Sequence, residues 1–409
     1  MVACQRVNGF ARLVLMNELT PTVYANNATT SWPKPDGVAS AMLQGLDHTG
    51  SARRGSGLVT QSADVLLDRA RTTCARFLGV GEPANLMFVP SATFGLNMII
   101  GGFMQPGDAV IVARGEHNAV LRPLLALERQ GAHIAWAPLD DHGFLDLAEL
   151  EHLLQIGVQQ NQPFKAVICN QGSNVSGRMQ PLEEIVLLAH QYGAVCISDG
   201  AQVAGHESVD LGHLGVDAWV CSGHKGLLGP KGIGLMYLAP TFDLDITIWG
   251  GTGYGNADYL CDDRIRPDCY EPGTEPLCAI LGLESGVRWL EGHPGSTLRA
   301  IALASQLRMR LTQINGVHVL GGEPGTASHL PLVSVTTDRL TIPEWGSLLQ
   351  QRYGIITRWG IHCSPDAHRV LGSYPQGSVR FSLGPYNTQD DVDAIVEAVH
   401  DSLTLPAHS

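Results

Sequence analysis

Ala194-Val-Cys-Ile-Ser-Asp199-Gly-Ala-Gln202 and, after a polar connection, Val216-Asp-Ala-Trp-Val-Cys-Ser222-Gly-His224-Lys225-Gly226 form the most informative stretch of this chain. Each half is a short apolar run that ends abruptly in polar residues. A parallel strand buried on both faces reads this way, and it delivers its last side chains to a site at the carboxyl end of the sheet. The first half delivers an acid and an amide, Asp199 and Gln202. The second delivers a hydroxyl, an imidazole and an amine, Ser222, His224 and Lys225.

The same alternation extends to either side, from about residue 62 to residue 240. Strands are expected at Leu86–Pro90, Ala109–Ala113, His133–Ala137, Ala166–Asn170, Ala194–Ser198, Ala218–Cys221 and Gly234–Leu238. Helices are expected at Ser62–Leu78, Phe94–Phe103, Ala119–Gln130, Leu147–Gln155 and Leu182–Tyr192. Strand and helix in alternation predict a largely parallel sheet of seven strands covered by helices on both faces. Residues 241–275 are rich in Gly, Asp and Pro and read as an irregular connection. An amphipathic stretch from Leu277 to Leu290 follows and is broken by Gly292-His-Pro-Gly295. A long helix from about 296, strand-like segments near 331–336 and 378–383, and a final helix around 389–403 make a smaller α+β domain. The expected fold class is therefore α/β. Its parts are an N-terminal segment, 1–34, packing with the small domain, a large domain, 35–285, and a small C-terminal domain, 286–409.

Composition narrows the function classes. A chain of 409 residues exceeds one ordinary core, and 44% apolar with 16% charged residues suits a well-buried enzyme. A net charge of −13 leaves no basic footprint for nucleic acid. The nine cysteines are scattered singly, without Cys-x-x-Cys spacing, as in a reducing compartment. Cys261, Cys269 and Cys278 lie close together, but their spacing matches no zinc pattern, so no metal site is expected. The one apolar stretch near the start, Leu13-Val-Leu-Met16, is too brief to span a membrane. No cleavage site follows it convincingly, and the expected location is cytoplasmic.

The groups converging on the strand ends are those needed to hold pyridoxal 5'-phosphate. Asp199 can keep the pyridine nitrogen protonated, Lys225 can attach the cofactor covalently, and Gln202 can donate to the phenolic oxygen. The phosphate needs amides and hydroxyls at a helix start, which Pro90-Ser91-Ala92-Thr93 offers. His117 begins a helix at the same side of the sheet and can stack on the ring.

Taken together, these segments resemble the class V aminotransferase group of fold-type I pyridoxal-phosphate enzymes, in particular its cysteine desulfurase and selenocysteine lyase branch. The resemblance spans nearly the whole chain. Tyr24-Ala-Asn-Asn27-Ala-Thr is similar to the family's opening motif, Ser91-Ala92-Thr93 to its phosphate turn, and Glu116-His117-Asn to its ring-stacking histidine. Ser173-Asn174-Val-Ser-Gly resembles the segment whose asparagine meets the phenolic oxygen. Trp249-Gly-Gly-Thr252-Gly resembles the loop whose threonine reaches the neighbouring subunit's cofactor, which implies a homodimer with shared sites. Arg358-Trp-Gly-Ile-His362-Cys363-Ser-Pro resembles the loop of the nucleophilic cysteine. Gly377-Ser-Val-Arg380-Phe resembles the segment whose arginine binds the substrate carboxylate.

The resemblance implies that Arg380, Asn27 and Arg358 meet substrate, that Lys225 removes the α-proton, and that Cys363 takes sulfur from L-cysteine as a persulfide before an acceptor protein receives it. Arg358 and His362 stand near enough in sequence to favour the Cys363 thiolate. Departures from the family pattern stand beside these matches: Asn26 in place of Asp, Phe94 in place of Glu, and Pro272 and Glu275 in a Glu-x-Gly-Thr segment that otherwise matches. The alternatives are another class V enzyme (a C–S or selenocysteine lyase, an epimerase or an aminotransferase) with Cys363 dispensable, and a cofactor-free binding protein.

Overall fold

A computed structural model describes residues 3–7, 10–14, 23–47, 57–140, 142–251, 265–322 and 329–404. The chain opens with an antiparallel pair, β1 (Ala3–Val7) and β2 (Phe10–Val14), then a short strand β3 (Val23–Tyr24) and two helices, α1 (Asp36–Asp47) and α2 (Leu58–Phe77).

The large sheet follows as β4 (Leu86–Val89), β5 (Ala109–Ala113), β6 (His133–Ala137), β7 (Ala166–Asn170), β8 (Val195–Asp199), β9 (Ala218–Ser222) and β10 (Gly234–Leu238). Its order is β4-β10-β9-β8-β7-β5-β6, and only β10 runs against its neighbours. Period-two alternation explains why these strands are apolar throughout. Val167, Cys169, Cys196, Trp219 and Cys221 face one core, whereas Ala166, Ile168, Ile197, Ala218 and Val220 face the other. Helix α2, with α5 (Leu147–Gln159), α6 (Leu182–Gln191) and α8 (Leu277–Gly292), fills the first core. Helices α3 (Ala92–Phe103) and α4 (Asn118–Glu128) fill the second. A single turn, α7 (Leu211–Leu214), precedes β9.

The small domain is built from α9 (Gly295–Thr312), β11 (Val317–Val319), β12 (Leu332–Thr337), α10 (Ile342–Tyr353), β13 (Ile355–Ile356), β14 (Arg358–Gly360), α11 (Pro365–Val370), β15 (Ser378–Ser382) and α12 (Gln389–Thr404). Its four-stranded sheet, β11-β12-β15-β14, is antiparallel. The N-terminal segment joins it: β3 pairs in parallel with β13, and Val23 and Ala25 enter its core.

Helices α8 and α9 connect the large sheet to the small one. Residue 285 lies within α8, whose Ile280, Leu283, Val287 and Leu290 still fill the large-domain core. Helix α8 ends at Gly292 and α9 begins at Gly295.

Candidate functional site

Five strand ends build one cleft. Ala92 and Thr93 follow β4, Gly115 and His117 follow β5, and Asn170 and Asn174 end and follow β7. Asp199 and Gln202 end and follow β8, and Ser222 and Lys225 end and follow β9. Together they line a cleft of about 430 Å³. It lies at the carboxyl ends of the strands, where an open α/β sheet places its ligands.

The cleft's electrostatics follow from burial. Asp199 is buried, and its Oδ1 accepts the N–H of Ala201 at 2.9 Å. Lys225 is lowered from 10.5 to about 8, chiefly by burial and further by the Arg380 and Arg358 charges, against the opposing pull of Asp199. His117 caps α4 by accepting the Ala119 N–H on Nδ1 at 3.0 Å, which places the neutral ring's proton on Nε2. Burial also keeps His117 below the ordinary imidazole range. Burial, then the cations Lys225, Lys34 and Lys231, lower His224 to about 4. Its Nδ1 is buried and has no hydrogen-bond partner among the described residues.

Two close approaches shape the cleft floor. A Cβ on Gly200, just after Asp199, would lie 2.0 Å from the Trp219 ring. A Cβ on Gly226, just after Lys225, would lie 2.2 Å from the Ala204 carbonyl oxygen. Only glycine lets the backbone pass at either place.

Glu116, whose motif stood out in the sequence but whose own role did not, is fully buried beneath this floor. Its Oε1 accepts both the Asn170 N–H and Nδ2–H, while its pKa is pushed up to about 8 by burial and by the Asp199 charge. An acid ending the Arg114-Gly-Glu turn directly after an apolar strand was the available signal.

Cys363 and Arg380 come to the cleft from the small domain. The Cys363 carbonyl accepts the N–H of Asn118, the residue after His117, at 2.8 Å. Its Sγ accepts from Arg358 at 3.4 Å. Arg380 is buried, donates to the Asn174 carbonyl at 2.8 Å and to Thr29 Oγ1 at 3.1 Å, and leaves Nε without a partner. Burial and the neighbouring Arg358 lower it to about 9. No carboxylate is paired with it among the described residues.

Three expected residues are held by bonds of their own within the fold. Asn27 does not line the cleft. It is buried, with Nδ2 donating to the Ser382 carbonyl at 3.1 Å and to Asn387 Oδ1 at 3.3 Å, and Oδ1 accepting the Trp32 N–H at 3.2 Å. His362 does not face the Cys363 sulfur as a cation. It is buried and held well below the ordinary range, and its Nε2 meets Ser378 Oγ at 3.1 Å. The permanent charge at the sulfur is Arg358. Gln202 lines the cleft but also donates to the Ala28 carbonyl at 3.1 Å. Thr252 lies outside the described residues. Phe94 lines a separate apolar pocket of about 600 Å³ with Ile233, Ile248, Tyr270 and Pro272.

The chain is similar to known proteins over nearly its whole length. The family model "Aminotransferase class-V" matches residues 23–395. A probable cysteine desulfurase of Vibrio cholerae is 30% identical over 397 residues, covering 94% of both chains. A longer probable cysteine desulfurase of Mycolicibacterium paratuberculosis is 32% identical over 93% of this chain and 55% of its own length. Among solved structures, the apo cysteine desulfurase of Thermococcus onnurineus NA1 superimposes with a TM-score of 0.85 at 26% identity, covering 93% of this chain and 94% of that one.

Proposed function

This chain belongs to the class-V aminotransferase family, and from that premise we propose that it is a pyridoxal-phosphate-dependent cysteine desulfurase, converting L-cysteine to L-alanine with the sulfur passing to Cys363. The observation that carries this reading is the seating of Cys363, bonded through its carbonyl to the residue after His117 and touched at Sγ by Arg358.

The residues present fit the cofactor. Ala92 and Thr93 at the start of α3 would hold the phosphate, with Ser222 and the unpartnered Nδ1 of His224. Asp199 would face the ring nitrogen, Gln202 and Asn174 the phenolic oxygen, His117 the ring, and Lys225 would attach the group. When bound, pyridoxal phosphate supplies an electron sink for charge developing at the substrate α-carbon.

The chain's own groups do the rest. Arg380 holds the substrate carboxylate: its buried guanidinium is bonded only to the neutral oxygens of Asn174 and Thr29 and has no ion pair among the described residues, so its charge awaits an anion. Lys225 Nζ carries the α-proton, and its lowered pKa supplies neutral amine near neutral pH. The Cys363 Sγ then bonds to the substrate sulfur as the Cβ–S bond breaks, the electron pair stays with the carbon fragment, and that fragment is protonated and leaves as alanine. Arg358 donates to Sγ and sets a fixed positive charge beside it.

The enzyme is proposed to act as a cytoplasmic homodimer, with Thr252 of one subunit completing the other's phosphate site and an acceptor protein collecting the sulfur. The apolar pocket around Phe94 and Ile248 beside the start of α3 supports a covered surface there. Among the described residues no helix is long and apolar enough to cross a membrane.

The deciding experiment is mass spectrometry of Cys363 after a single turnover with L-cysteine. A mass gain of one sulfur atom on the Cys363 peptide is expected, with loss of alanine production in Cys363→Ser. Undiminished alanine from that variant would remove Cys363 from the chemistry and leave another class V reaction in its place.

A further inference from the structure

His362 and Cys363 both hold positive φ, +47° and +61°, although neither is glycine. Two consecutive residues in the left-handed region are strained and persist only when their surroundings over-determine them. Their carbonyls cannot be satisfied within a helix or sheet. Instead each has an external donor: Asn174 Nδ2 reaches the His362 carbonyl at 2.7 Å, and the Asn118 N–H reaches the Cys363 carbonyl at 2.8 Å.

The Asn174 amide is oriented by chemistry. A carbonyl only accepts, so Nδ2 must face His362, and Oδ1 is thereby turned to Ser364 Oγ, which donates to it at 2.8 Å. Ser364 is fully buried, so this hydroxyl has no water to bond instead. The backbone carbonyl of Asn174 in turn receives the Arg380 guanidinium at 2.8 Å. One residue therefore joins the carboxylate-binding arginine, the cofactor cleft it lines, and both flanks of the nucleophile.

We propose that Ser364 is a positioning residue for sulfur transfer: its hydroxyl locks the Asn174 amide, and the locked amide holds Cys363 in its strained conformation in register with Arg380. This rests on Cys363 being the sulfur acceptor. Ser364 touches no reacting atom and acts through Asn174 alone.

The test uses the holoenzyme and two readouts, single-turnover persulfide formation at Cys363 and steady-state KM for L-cysteine. Loss of one buried hydrogen bond predicts that Ser364→Ala slows persulfide formation about tenfold, with KM and the cofactor's visible-edge absorption unchanged. Because both partners serve one bond, adding Ser364→Ala to Asn174→Ala should slow the step no further. Wild-type persulfide formation in Ser364→Ala overturns the proposal, as does a fall in cofactor absorption or a rise in KM of the same size, which would mark Ser364 as ordinary core packing. Cys363→Ser keeps the two claims apart: if that variant still transfers sulfur, the reading of Cys363 and the role of Ser364 both fail, whereas an inactive Cys363→Ser beside a wild-type Ser364→Ala overturns the role of Ser364 alone.

Discussion

Lys225 shows how one residue's environment sets a reaction's pH window. Its pKa is depressed, so the charged amine is disfavoured in the fold, and the neutral form grows as pH rises toward about 8. Attachment of pyridoxal phosphate needs the neutral amine. Reconstitution of the apoprotein should therefore accelerate about tenfold for each pH unit below 8 and level off above it. Stopped-flow absorbance near the visible edge measures this, and a rate still climbing to pH 10 would mean that the amine is not depressed. The identity of Lys225 and Asp199 was legible in the sequence because each ends a buried apolar run, a local signal. The role of His362 was not. Its nearness in sequence to Cys363 suggested a cation at the sulfur, but burial keeps the ring neutral and Ser378 occupies its Nε2. Burial is a property of what packs around a residue, and five residues of local sequence do not contain it.

At the scale of the element, the site depends on how tightly β8 passes β9. Gly200 leaves the end of β8 against Trp219, which is fully buried and donates from Nε1 to Gln171 Oε1 at 2.8 Å. Gly200→Ala forces its Cβ into the indole ring. A cost of about 3 kcal/mol is expected, read as a lower urea midpoint at unchanged slope, together with weaker cofactor retention as Asp199 shifts. An unaltered midpoint would show that the strand end can yield. The large-sheet strands were readable almost to the residue, because a double-sided core imposes an unbroken apolar run that starts and stops sharply. Helix α10 was passed over despite its signal, a capping box between Thr341 and Glu344. Strands β13 and β14, of two and three residues, carry no periodicity at all. They exist because β3 and β15 lie beside them.

For the whole molecule, the important feature is how the chain's beginning is tied to its end. Asn27 binds Ser382, Asn387 and the Trp32 amide, and Asn26 pairs with Ser382, so the first described loop is anchored on the last sheet strand. Asn27→Ala should lower global stability by about 2 kcal/mol, since it leaves buried partners unpaired. A residue that only met substrate would instead raise KM and leave the denaturation curve in place, so the two measurements separate the roles. By itself, the sequence determined the strands, the polar groups proposed to hold a cofactor at their ends and the α/β class, because burial on two faces and polar strand ends are written locally. It also named Cys363 and Arg380 through their flanking motifs. Only the tertiary structure decided that Cys363 meets Asn118 and Arg358, that Arg380 lies buried without a carboxylate, and that Asn174 and Ser364 join the two. Apart from the local Arg358 contact, these bonds link residues about 190 to 245 positions apart, Cys363 to Asn118 being the widest, and they form only when the small domain packs on the large one. No periodicity in the sequence encodes such a docking, because it is set by the shapes of two cores and not by the residues of either strand.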